Sequence, residues 1–177
     1  MNTKIWALAV AASLCPLLAS ASDGTLTFGG VLKAETCTIT GPKDFTVALP
    51  SVPVSSLATV WDKAGDTLFS ISVSGCTAGL TGANVYFEYG PNIVPATGNL
   101  KNTASSGAAT NVELSLFTTS GQPIDLAPPT GLGQYQPFTS NLTANAGRLD
   151  FIAAYMANGT ATPGTVQSSV TYSMVYN

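Results

Sequence analysis

Short runs in which apolar and polar residues alternate with period two recur along this 177-residue chain. Such alternation places one set of side chains on each face of a half-buried strand. Residues 25–32 carry Leu26, Phe28, Gly30 and Leu32 on one face and Thr25, Thr27, Gly29 and Val31 on the other. Residues 45–49 form a short run that stops near Pro50 and Pro53. In residues 67–74, Phe69, Ile71 and Val73 oppose Leu68 and Ser70. Residues 84–89 are rich in aromatics, residues 112–118 align Val112, Leu114 and Leu116, and residues 149–156 are almost wholly apolar. The last run, 169–176, sets Val170, Tyr172, Met174 and Tyr176 against Ser169, Thr171, Ser173 and Val175. Helical periodicity is absent at any useful length, apart from a turn expected around residues 54–60.

Gly, Pro, Asn and Ser punctuate these runs. Asn158-Gly159 is a tight-turn signal, while Gly121-Gln122-Pro123 and Ala127-Pro128-Pro129 break any regular element. Residues 92–107 and 128–139 read as long polar surface excursions. Many short strands between such breakers predict an all-β sandwich. No internal repeat or linker divides it.

The N-terminus departs from this pattern. Lys4 is the only charge in residues 1–21, an apolar run extends from Ile5 to Leu18, and Ala19-Ser20-Ala21 has the small-x-small form of a cleavage site. The run falls short of the roughly 20 residues that span a bilayer. Residues 1–21 are therefore expected to be a secretory signal peptide, with Ser22 as the mature start. An uncleaved anchor is the competing reading. A lipoprotein signal ending at Cys15 does not fit, because Leu14 stands where a small residue belongs. Cys37 and Cys76 then remain, and two cysteines in an exported chain are expected to form one disulfide. Closing a loop of that length stabilises by roughly 4 kcal/mol in the chain-entropy model. A reactive or metal-binding pair would need a nearby His, Cys or base that the sequence does not supply.

Composition narrows the function. Charged residues make up 8% of the chain, histidine is absent, and the net charge is -3. Outside the leader, Lys33, Lys43, Lys63, Lys101 and Arg148 are scattered among the carboxylates. No basic patch suggests nucleic acid or an anionic membrane as partner. Without histidine, Ser-His-Asp and Cys-His catalysis and His-ligated metals are excluded. High apolar content with low charge argues against disorder. Asp62 and Asp66 are the nearest carboxylate pair, able in principle to hold a cation or do acid–base work, although a solvated turn explains them as well. Gly29-Gly30 lacks the Lys and helix start of a phosphate loop. Asn141-Leu142-Thr143 and Asn158-Gly159-Thr160 match the glycosylation sequon as chance occurrences in a Thr-rich chain. No enzyme activity and no cofactor are expected.

Two strands stand out, one at each end. The first follows Gly24 almost directly at the mature start, and the last stops one residue after Tyr176 with no polar tail. Either is accounted for by an ordinary strand within its own sheet, and either is also a template for pairing with another chain. Together with the leader and Cys37 and Cys76, the run Gly24-Thr25-Leu26-Thr27-Phe28-Gly29-Gly30-Val31-Leu32 and the tail from Ala161-Thr162-Pro163-Gly164 to Val175-Tyr176-Asn177 resemble a pilin of the chaperone–usher class, the subunits of type 1 and P fimbriae. A penultimate Tyr176 and Gly164, fourteenth from the C-terminus, resemble that family's chaperone-recognition pattern.

The resemblance implies an incomplete immunoglobulin-like β-sandwich, completed by a donor strand from another subunit and carrying one disulfide. It implies a signal peptide over 1–21, an N-terminal donor-strand extension over 22–33 and a pilin domain over 34–177. Leu26, Phe28, Gly30 and Leu32 would enter a neighbour's groove, with Gly30 where no side chain fits. Gly164, Val170, Tyr172, Met174 and Tyr176 would belong to the groove and chaperone-binding strand. Expected partners are neighbouring pilin subunits, a periplasmic chaperone and an outer-membrane usher, with export through the periplasm to a cell-surface fimbrium that supports adhesion and biofilm. The short N-terminal extension leaves shaft and adaptor positions both open, and the chain is too short for a two-domain tip adhesin. A secreted single-domain β-sandwich that binds carbohydrate is the alternative, motivated by the long loops. Because no side chain has an ordinary pKa between 5 and 8, preformed fibres are expected to keep their length across that range. Electron microscopy after incubation at pH 5 and pH 8 tests this, and disassembly at either would contradict it.

Overall fold

The computed structural model describes residues 26–29, 36–127 and 138–176. The chain divides into two units, Met1–Lys33 and Ala34–Asn177. In the first, Leu26 to Gly29 lie in no ladder, and Leu26 and Phe28 are 84% and 89% exposed. The rest of the expected strand over 25–32, with Gly30 and Leu32, lies outside the described residues, as does the leader over 1–21.

The second unit is a two-sheet β-sandwich. Its described strands are β1 (Thr38–Thr40), β2 (Lys63–Ser74), β3 (Gly82–Phe87), β4 (Leu100–Lys101), β5 (Val112–Thr118), β6 (Pro123–Ile124), β7 (Phe138–Asn141), β8 (Gly147–Ala157) and β9 (Tyr172–Tyr176). The larger sheet runs β1-β2-β8-β5-β4, with β6 also on β5, and the smaller runs β7-β3-β9. All pairings between these strands are antiparallel. A single turn of 3-10 helix, Val54–Leu57, sits within the turn expected at 54–60.

The core follows from the alternation. Ile71 and Val73 of β2 are buried while Leu68 on the other face is exposed. β8 lies between β2 and β5, placing Phe69 opposite Phe151 and Leu116 opposite Ala153. Phe151 is 1% exposed; its ring stacks on Phe69 at 5.4 Å and meets Phe87 of the smaller sheet edge-on at 5.3 Å. Val85, Phe87, Ile93, Ile124 and Leu126 complete the same cluster. Where β2 shifts register between Ala64 and Thr67, Gly65 has φ +75° and a Cβ there would lie 2.8 Å from the Tyr155 ring, so glycine alone fits.

Cys37 and Cys76 are joined by a disulfide that ties the start of this unit to the end of β2. Beside it the Thr77 amide donates to the Thr36 carbonyl at 3.1 Å. Glu113, on the β5 face away from the core, is 4% exposed. Its carboxylate accepts hydrogen bonds from Thr97 Oγ1 (2.8 Å), Asn99 Nδ2 (2.9 Å) and Asn158 Nδ2 (2.8 Å). A buried carboxylate requires such partners. The Asn158 amide is thereby engaged in packing.

Several expectations are revised. Residues 45–49 are not a strand: Val47 and Leu49 turn inward as their alternation requires, but no described strand pairs with this stretch. The aromatic strand occupies 82–87 rather than 84–89, and the final strand begins at Tyr172 rather than Ser169. Residues 92–107 are more than a polar excursion, since Ile93, Asn99 and Leu100 are buried and β4 forms there. Phe138 and Thr139 belong to β7. Replacing Phe151 with Ala removes the ring both sheets share, and urea denaturation should show a loss of about 3–5 kcal/mol; a loss below about 1 kcal/mol would contradict its central place.

Candidate functional site: an open sheet edge beside an apolar cleft

Among the described residues β9 is paired on one side only. Its register with β3 runs from Phe87 opposite Tyr172 to Ala83 opposite Tyr176. The preceding segment extends this edge back to Thr165. Along it the odd-numbered residues are engaged toward the body. The Thr165 amide donates to Gly107 O (2.7 Å), Thr165 O accepts from the Ala109 amide (3.0 Å), Gln167 O from the Thr103 amide (2.7 Å), and Thr171 O from the Glu88 amide (2.8 Å).

In an extended chain the intervening residues point their backbone groups the other way. Val166, Ser168, Val170, Tyr172, Met174 and Tyr176 thus turn their amides and carbonyls to the outer edge. Among the described residues, no strand takes that edge. Their side chains point inward and are half-buried. Five are apolar or aromatic, and the sixth, Ser168, has its hydroxyl buried without a hydrogen-bond partner.

A second unpaired wall flanks the same core. Residues 45–52 carry no regular secondary structure, alternate between exposed and half-buried from Thr46 to Pro50, and make no backbone–backbone hydrogen bond among the described residues. Val47 and Leu49 pack on the cluster that also receives Val170, Tyr172 and Met174. Val52 and Val54 pack on a second cluster with Val166 and Tyr155. At that end a cavity of about 230 Å³ opens between Val52, Val54 and Leu57 on one side and Ala161, Gly164 and Val166 on the other. Toward the middle the Tyr172 hydroxyl donates to the Lys43 carbonyl at 3.0 Å, linking the two walls. Phe45 lies 6.3 Å from Phe69 and is 42% exposed.

The residues singled out from sequence therefore divide. Val170, Tyr172, Met174 and Tyr176 line one wall together. Gly164 lies at its beginning: a Cβ there would fall 2.5 Å from Gly107 O and 2.7 Å from the Ala108 carbonyl carbon, so the wall can approach residues 107–109 only without a side chain. Leu26 and Phe28 belong to the other unit, and Gly30 and Leu32 lie outside the described residues. Sequence reasoning missed Val47, Leu49, Val52 and Val166 as lining. The alternation in residues 45–49 carried a signal for the first two. Asp62 and Asp66 make separate contacts: Asp62 accepts from the Thr59 amide at 2.8 Å, which lowers its pKa, and Asp66 pairs with Lys63 at 2.9 Å. Among the described residues, no group of three His, Cys, Asp or Glu could hold a metal.

Comparison with known proteins places this β-sandwich in a family. The family model for fimbrial protein matches residues 25–177, and the chain belongs to that family. It is a structural subunit of a surface pilus. It is 43% identical over 166 residues to the major fimbrial subunit SMF-1 of Stenotrophomonas maltophilia, covering 92% of this chain and 97% of that one. It is 41% identical to the F17 fimbrial protein of Escherichia coli, covering 96% and 94%. Among solved structures, the P pilus rod subunit PapA has the same fold at a TM-score of 0.58 and 14% identity, with 80% of this chain and 99% of that one aligned. A subunit from a chaperone–usher pilus structure concerned with rod uncoiling gives 0.59 at 16% identity, over 94% and 100%.

Burial, and then the charge of Asp44, hold the Tyr172 phenol above its ordinary pKa, and burial raises Tyr155 as well. A raised folded pKa means stability fully present below the unfolded value of about 10 and lost as pH rises beyond it. The urea midpoint of the subunit should accordingly fall above about pH 10. Tyr172→Phe should flatten that fall, and an unchanged slope in this variant would show that the cross-wall phenol is not its source.

Proposed function

We propose that the open edge is an acceptor site for the N-terminal segment of a neighbouring subunit, and that the protein polymerises into a fimbria by donor-strand exchange. One observation carries this reading: residues 45–52 and 165–176 flank the same apolar core, and among the described residues no strand lies on either facing edge. Such a cleft fits one more strand, and strand addition is a general mode of peptide recognition of which chaperone–pilin complementation is a known instance.

The matching strand is in the chain's own N-terminal segment. Residues 22–33 carry Leu26, Phe28, Gly30 and Leu32 at alternate positions, the spacing that points all four into a groove. Leu26, Phe28 and Leu32 at roughly 1.5–3 kcal/mol each contribute about 5–9 kcal/mol on burial. The ladder along Val166 to Tyr176 adds hydrogen bonds that the open edge lacks. Gly30 places no side chain, so the donor can approach the floor most closely there. Dissociation then requires losing a core strand, which makes the fibre kinetically durable.

Before assembly the same exposed edge needs a cover. A periplasmic chaperone supplies it, engaging the strand from Gly164 to Tyr176, and an outer-membrane usher takes the subunit to the surface. The leader over 1–21 directs entry to the periplasm. Partners in the fibre are copies of this chain or related subunits, and the assembled fibre supports adhesion.

Deleting residues 22–32 removes the donor while sparing the acceptor, so cells expressing only this variant should show no fibres of normal length by electron microscopy. Normal fibres would overturn donor-strand polymerisation. Phe28→Asp should act in the same direction. A carbohydrate-binding monomer instead predicts a refolded subunit that is stable alone and indifferent to a peptide of residues 22–33.

A further inference from the structure

We propose that Asn102 is a positioning residue for the acceptor edge, holding residues 165–169 extended before a donor strand arrives. This rests on the acceptor reading above. The wall is not uniformly supported. From Tyr172 onward β3 backs it as a regular ladder, and at its start Thr165 forms an isolated bridge to Ala108. Between them no strand runs alongside. That stretch is held largely by side chains.

The Asn102 side chain makes four hydrogen bonds, two to the wall and two to the loop behind it. Its Nδ2 donates to the Ala109 carbonyl at 2.9 Å and the Thr165 carbonyl at 2.8 Å. Its Oδ1 accepts from the Ala104 amide at 3.1 Å and the Gln167 amide at 3.0 Å. Both donors of the amide and both acceptor positions are occupied. The side chain thus serves as a peptide group inserted between the wall and the loop behind it: it satisfies a carbonyl and an amide two residues apart on one edge. Asn92 repeats the device further along, donating to Ser169 O and Oγ at 3.1 Å each.

The bonds that reach the wall fall on its odd-numbered residues Thr165, Gln167 and Ser169, on the side turned from the cleft. They fix the wall's direction without occupying the outer edge. A wall held in this way presents Val166, Ser168 and Val170 in strand geometry, so an incoming strand need not order them. Once the donor is seated, its own ladder holds the same residues extended, and the Asn102 contribution becomes redundant. The role therefore lies in capture rather than in the durability of the completed sheet.

The test uses the mature chain and a fluorescent peptide of residues 22–33, with association and dissociation followed by anisotropy. Asn102→Ala should slow capture at least tenfold and change the half-life of captured peptide less than threefold. Phe117→Ala, a truncation of a buried side chain on the β5 face away from that core, gives a comparison for lost stability alone. Capture by Asn102→Ala that is within twofold of wild type, or slowed no more than by Phe117→Ala, would overturn the role. A dissociation rate raised as much as association is slowed would also overturn it, leaving only a structural contact. If Asn102→Ala does not fold, Asn92→Ala probes the same wall, with a capture rate reduced at least threefold expected and an unchanged rate counting against the proposal. Should wild type itself fail to take up the peptide, the acceptor reading fails and this role with it; uptake by wild type with no change in either variant removes the role alone.

Discussion

A backbone amide beside a hydrophobic core must find a partner or remain wet, and the architecture of this subunit is organised around that constraint. The larger sheet satisfies it almost entirely within the chain: β8 has a neighbour on each side, and its buried Phe151, Ala154 and Ala157 lie far from any edge. The smaller sheet does not. It ends at β9, whose inward side chains belong to the core while, among the described residues, its outward backbone groups have no strand beside them. Core and edge make opposite demands on the same residues, because Val170, Tyr172 and Met174 cannot be dry unless something covers the backbone that carries them.

That conflict explains features with no role in a self-contained sandwich. Val47 and Leu49 face the core from a segment that has no ladder among the described residues. The disulfide and the satisfied Glu113 network tie the loops of the large sheet. Tyr172 bridges the walls through Lys43 with a single hydrogen bond, far weaker than a ladder. Near Gly164, the absence of a side chain lets the wall come within bonding distance of residues 107–109.

The sequence was most legible where one strand has one buried face. Residues 67–74, 112–118 and 149–156 all fall within observed strands, since period-two alternation or a continuous apolar run is what burial demands. Legibility failed for two physical reasons. Alternation reports which side chains are buried but not whether the backbone has a neighbour, so residues 45–49 read as a strand although only half of a strand's requirements are met. Conversely β4 and β6, two residues each, and β1, three, are too short for any period to register. The terminal pattern gave Val170, Tyr172, Met174 and Tyr176 as a face. The walls opposite and behind them depend on contacts far apart in sequence, such as Asn102 with Thr165, which local pattern cannot encode.

The position of the disulfide has a mechanical consequence. The N-terminal segment runs into the body across Ala34, Glu35 and Thr36, and the next residue is Cys37. A pull along that segment therefore meets a covalent junction before it meets the three-residue ladder of β1. Through Cys76 the tension passes to the end of β2, whose long register with β8 would have to shear as a whole. The three-residue β1 is shielded from load, and extension of a chain of such subunits is directed to the boundaries between bodies rather than to the bodies themselves.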